Sequence, residues 1–141
     1  MIKFYRTDHK VLSEITEYED NMWVCMTKPT VDETKLIAED FEIDLADVRA
    51  ALDDEESSRV EVEDGYTLIL VDIPSIEMRN EREAYTTIPL GIILVKDILI
   101  TVCAEDTPVL DAFIESKVKE FSTKKRMRFM YQILYRNCMT Y

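Results

Sequence analysis

The chain has 141 residues, with 29 acidic against 17 basic side chains, a net charge of −12 and 47% hydrophobic content. That length holds one domain with a real core; the apolar share excludes a charge-driven disordered chain, and the acidity argues against a nucleic-acid groove. No stretch approaches the ~20 consecutive apolar residues of a membrane helix, and Met1-Ile2-Lys3-Phe4 lacks the apolar core of a signal peptide, so these residues read as soluble and non-secreted.

Met1–Arg6 and Lys10–Thr16 alternate as two strands around a turn at Asp8-His9, and Met22–Thr27 is a third strand centred on Trp23-Val24-Cys25. Lys28-Pro29 closes it, because proline has no N–H for the ladder. Thr30 with Glu33 forms a capping box that opens a helix to about Glu39, and a second start at Asp44 carries Leu45, Val48 and Leu52 on one face. After the charged loop Asp53-Asp54-Glu55-Glu56-Ser57-Ser58, Arg59–Glu63 and Tyr66–Ile73 form a hairpin around Asp64-Gly65. The polar Pro74–Ala84 stretch reads as a mobile loop. Tyr85–Val95 and Ile98–Cys103 form a hairpin around Lys96-Asp97, apolar on both faces and so expected near the sheet centre.

Thr107-Pro108 starts a helix whose apolar face is Val109, Leu110, Phe113, Ile114, Val118 and Phe121. Ser122-Thr123 breaks it before a last helix, where Met127, Met130, Tyr131, Leu134, Tyr135 and Cys138 fall at steps of three and four. That helix reaches Tyr141 without a C-cap signal, which suggests a longer natural protein. The order of strands and helices predicts an α/β fold, an α/β/α sandwich with a mixed sheet covered by helices, with residues 1–122 as the domain and 123–141 as the start of a long stalk helix.

The chemistry is sparse. Two glycines cannot build a phosphate loop, and one histidine, His9 in a turn, supplies neither a triad nor the common zinc sites. Cys25, Cys103 and Cys138 are too few and too dispersed for a disulfide framework or a CxxC knuckle, which fits a reducing cytoplasm. Catalysis would have to run on carboxylates alone, and 29 acids make any chosen pair unspecific, so no enzyme is expected. Charge is unevenly placed: residues 1–114 hold 10 basic and 27 acidic side chains, residues 115–141 hold 7 and 2. The densest acidic cluster is Asp53-Asp54-Glu55-Glu56, with Asp47 before it, and hard oxygen ligands in a loop suit Mg²⁺ or Ca²⁺. In a homo-oligomer such clusters would repel across an interface, and a shared divalent ion would relieve that. Arg59 is expected to tie the acidic loop to the sheet, and Trp23 to anchor the core.

Several motifs recur in a telling order: Trp23-Val24-Cys25-Met26-Thr27-Lys28-Pro29-Thr30, Phe41-Glu42-Ile43-Asp44, Ala50-Ala51-Leu52-Asp53-Asp54-Glu55-Glu56-Ser57-Ser58-Arg59, Leu68-Ile69-Leu70-Val71-Asp72-Ile73-Pro74, and Thr87-Ile88-Pro89-Leu90-Gly91 leading to Ile100-Thr101-Val102. The series resembles the N-terminal cytoplasmic domain of the CorA family of divalent-cation transporters, from about Trp23 to Tyr141. The resemblance implies a cytoplasmic α/β/α domain of a homopentamer, whose last long helix enters the cell membrane as a stalk. The two membrane helices and Gly-Met-Asn loop of the family are not among these residues, so contact with the membrane would run through a C-terminal segment that is missing here. It further implies Mg²⁺, or a related divalent ion, bound between protomers to hold the pore closed. The interfacial aspartate of some members falls near Ala50, which cannot ligate; Asp47, Asp53 and Asp54 are the expected inter-protomer ligands instead. The alternative is a stand-alone acidic interaction domain using the last helix as a coiled-coil handle.

Overall fold

Alternation along two buried strands decides the architecture. In the strand Ile98–Cys103 all six residues are buried; Leu99 and Cys103 join one apolar cluster while Ile98, Ile100 and Val102 join another. A strand apolar on both faces needs cover on both. The computed structural model describes residues 1–53 and 55–140, with the backbone alone at 76–79, 84, 85 and 140. Its strands are β1 (Ile2–Asp8), β2 (Val11–Ile15), β3 (Trp23–Thr27), β4 (Arg59–Glu63), β5 (Tyr66–Arg79), β6 (Arg82–Val95) and β7 (Ile98–Cys103). They form one seven-stranded sheet in the order β2-β1-β3-β7-β6-β5-β4. The pair β3–β7 is parallel and the other described pairs are antiparallel, so the sheet is mixed, with β7 at its centre.

One face is covered by α1 (Val31–Asp40), α2 (Leu45–Arg49) and a 3₁₀ turn at Ala50–Leu52, enclosing Val24, Met26, Ile37, Val48, Ile93 and Val102. The other is covered by α3 (Pro108–Ile114) and α4 (Arg126–Thr140), enclosing Trp23, Ile92, Leu99, Phe113, Phe129 and Ile133. This is the expected α/β/α sandwich. Over its described length α4 is one of the sandwich's layers: Phe129, Met130 and Ile133 share the core with residues before 123, while Met127, Tyr131 and Tyr135 face outward.

Local signals explain the element ends. Thr30 Oγ1 accepts the Glu33 N–H at 3.1 Å and Glu33 accepts the Thr30 N–H at 2.8 Å, the reciprocal capping box. Gly91 lets the 3₁₀ turn approach the sheet: a Cβ there would lie 3.1 Å from Ala51 Cβ. Trp23 is fully buried, its ring edge-on to Phe129 at 5.0 Å and its indole N–H donating to Thr101 Oγ1 at 2.9 Å.

Three expectations need correction. Residues 74–84 are not a loop: β5 and β6 run on as a two-stranded ribbon to a turn at Asn80-Glu81, both at positive φ (51° and 62°). β4 pairs with β5 only as far as Leu70, and β7 with β6 only as far as Leu90, so among the described residues each ribbon strand has an edge without a strand partner, where a proline costs no ladder bond. The helix expected through Phe121 ends at Ile114. Ser116 takes a left-handed φ of 59° and donates to Phe113 O, and Lys117 N–H reaches back to Ala112 O at 2.9 Å, a Schellman stop without glycine. Phe121 still enters the core, from the connection. The first hairpin turns at His9-Lys10, one residue later than expected.

Candidate metal-binding group

The acidic side chains that come together belong to an edge strand and a short helix. Asp44 caps α2 by accepting the Ala46 N–H at 2.9 Å, which places Asp47 in the helix's first turn. The two-residue turn at Asp64-Gly65, with Gly65 at φ 89°, fixes β4 against β5 so that Glu61 faces Leu68 and Glu63 faces Tyr66. Leu68 belongs to the core beneath α1 and α2, so strand alternation turns Glu61 and Glu63 toward α2. One carboxylate oxygen from each of Asp47, Glu61 and Glu63 lies within 4.8 Å of the others.

Two neighbours already engage this group. The Tyr66 hydroxyl donates to Asp47 Oδ2 at 2.5 Å and accepts the Asp44 N–H at 3.3 Å. Burial, reinforced by the Asp47 hydrogen bond, pushes the Tyr66 phenol up to about 12. Arg59 Nε donates to Glu61 Oε1 at 2.6 Å, while Nη1 reaches Glu56 Oε2 at 2.5 Å and Ser57 O at 3.2 Å. Arg59 thereby ties the acidic loop to the sheet.

Of the three residues read from the sequence as ligands, the structure brings Asp47 into this group. Asp53 lies apart, its Oδ1 accepting the Glu55 N–H at 3.0 Å, and Asp54 lies outside the described residues. Glu61 and Glu63 were missed because only the register of β4 and the seating of α2 bring them to Asp47. The donors are hard oxygens, as Mg²⁺ and Ca²⁺ prefer, and ligands opposite each other across those ions sit roughly 4.2 to 5 Å apart. The spacing therefore fits one such ion, which would share Glu61 with Arg59.

Among the described residues no helix is long and apolar enough to cross a membrane. The structure is a seven-stranded mixed sheet between two helical layers, with an acidic group at its β4 edge. The family model of the CorA-like Mg²⁺ transporter protein matches residues 18–141, and the chain belongs to that family, whose members are transporters and not enzymes. The fold is similar to the soluble domain of CorA from Methanocaldococcus jannaschii: 22% identity, 96% of this chain and 55% of that chain, TM-score 0.76. The complete CorA magnesium transporter of the same organism is similar over 97% of this chain and 44% of that chain, at 19% identity and TM-score 0.72. The ZntB cytoplasmic domain from Vibrio parahaemolyticus RIMD 2210633 is similar at 16% identity, over 96% and 56% of the two chains, TM-score 0.68. The chain thus spans about half the length of the solved structures it resembles. A search of the curated proteins found no match.

Proposed function

We propose that this chain is the cytoplasmic regulatory and assembly domain of a CorA-like transporter of Mg²⁺ or a related divalent ion, acting within a homo-oligomer whose pore lies in another part of the protein. The family match over residues 18–141 carries the reading. Two features support it: the surplus of acid before residue 115, and the convergence of Asp47, Glu61 and Glu63. In this reading a divalent ion favours the state in which acidic surfaces approach, so rising internal ion biases the assembly toward closure. Asp47, Glu61 and Glu63 are the leading ligands, with Asp53 and Asp54 as further carboxylates across an interface. The coiled-coil alternative is weakened by the burial of Phe129, Met130 and Ile133 against the sheet.

Melting temperature and sedimentation velocity in millimolar MgCl₂ against NaCl of equal ionic strength test it. The expected result is a higher melting temperature or a larger species with Mg²⁺, reduced in Asp47→Asn/Glu63→Gln and less affected in Asp53→Asn/Asp54→Asn. Identical behaviour in the two salts sinks ion sensing by this domain. Equal loss in both variant pairs reassigns the ligands.

A further inference from the structure

The β1–β2 turn and the connection before α4 are distant in sequence and locked together in space. Thr7 N–H donates to Thr123 Oγ1 at 3.0 Å, and Thr123 N–H returns the bond to Thr7 Oγ1 at 2.9 Å. Both threonines are buried, at 3% and 2% exposure. A reciprocal pair of hydrogen bonds out of water holds its geometry firmly. Lys10 follows Thr7 by three residues and Lys125 follows Thr123 by two, so the clamp fixes the backbone from which both lysines project. This lies at the β2–β1 side of the sheet, opposite the β4 edge.

There the two lysines and Arg128 wall a pocket of about 450 Å³, with Phe121 as an apolar side. Among the described residues none of these three cations has an ion-pair partner. Glu120 also lines the pocket, yet it pairs with none of them. Like charges gathered without a counter-charge repel, and the chain has 29 carboxylates against 17 cations from which to supply one. An electropositive hollow on an acidic domain is therefore a feature that composition alone would not produce.

We propose that this pocket binds a compact phosphate-bearing ligand, an oligophosphate or a phosphate ester. Phosphate offers several acceptor oxygens and more than one negative charge, which matches cations converging from two elements. The Arg128 guanidinium is suited to two oxygens at once, and the lysines act as point charges. The volume falls within the ~300–1,000 Å³ of small-molecule sites. A long polyanion suits it less, because residues 1–114 carry 27 acids against 10 bases and repel a strand that leaves the pocket.

The test is isothermal titration calorimetry of the 141-residue chain with sodium tripolyphosphate, at low ionic strength and without divalent ions, so that the Asp47 group takes no part. Saturable binding is expected, weakening with salt and falling about tenfold or more in Lys10→Gln and in Arg128→Gln. Glu120→Gln should tighten it, because that carboxylate repels phosphate. All three side chains are exposed, so unchanged melting separates lost binding from lost fold. Lys96→Gln removes a cation from the β6–β7 turn, outside the pocket, and should bind as the native chain does. Co-sedimentation with phosphatidic-acid vesicles distinguishes the source of the phosphate. Capture that the same variants abolish assigns it to a lipid headgroup, and tripolyphosphate binding without capture assigns it to a soluble ligand. The proposal is overturned if neither probe binds, if Lys96→Gln loses as much as Lys10→Gln, or if citrate binds as tightly as tripolyphosphate.

Discussion

Thr101 illustrates how a polar atom is kept at the centre of this sheet. It is fully buried, and its hydroxyl accepts the indole N–H of Trp23, itself ringed by Tyr5, Phe121 and Phe129. Valine has nearly the same shape but no acceptor, so Thr101→Val leaves the indole N–H unpaired in the core. The expected cost is about 1–3 kcal/mol, read as a lower urea midpoint at unchanged slope; an unchanged midpoint would mean that the hydrogen bond contributes little. Trp23 as a core anchor is legible from the sequence because it sits in an apolar strand run. Its partner is not, since Thr101 is a polar residue 78 positions away and only the parallel β3–β7 register brings it near. Asp47 has the same history: visible as an acid in a helix's first turn, but joined to Glu61 and Glu63 only by long-range packing.

At the scale of elements, the chain stops its helices without glycine. Glu42 after α1 and Ser116 after α3 both adopt left-handed φ, 55° and 59°. Each donates to the carbonyl of a Schellman motif, with Ile43 and Lys117 completing the return bonds to Ala38 and Ala112. A side chain in this region is strained, so Ser116→Gly should stabilise the domain by up to about 1 kcal/mol, seen as a raised melting temperature. A drop would show that the serine side chain compensates for its backbone. The same economy of glycine hid the end of α3, since Val118 and Phe121 continue a helical spacing with no glycine to interrupt it. The β5–β6 ribbon was hidden for another reason. Pro74 and its charged neighbours are turn-like by composition, yet a ribbon whose edges lack strand partners among the described residues accommodates both. Starts were more legible than stops: Thr30 with Glu33, Asp44, and Thr107 before Pro108 all cap the helices they predict.

For the whole molecule, the informative join is the parallel pairing of β3 with β7. Everything from α1 to β6 is inserted between these two neighbours, and Trp23 lies opposite Leu99. Such non-local closure is slow to form, because loop entropy is lost before the pairing returns it. During synthesis the consequence is a waiting period. At ~5–20 residues per second, the β1–β3 segment leaves the ribosome on the order of 4–15 s before its partner strand exists. Throughout that interval Trp23, fully buried in the finished domain, lacks Leu99, Thr101, Phe121 and Phe129, which close around it only later. Nascent chains arrested before β7 should therefore be cut readily near β3, and chains released after α4 should resist. Protection already present in the shorter chains would mean that the first three strands hold together alone. The centre of the sheet, its best-protected place once folded, is thus the last to be sealed, and a ribosome-bound chain is most open to chaperones and proteases at the strand that later becomes hardest to reach.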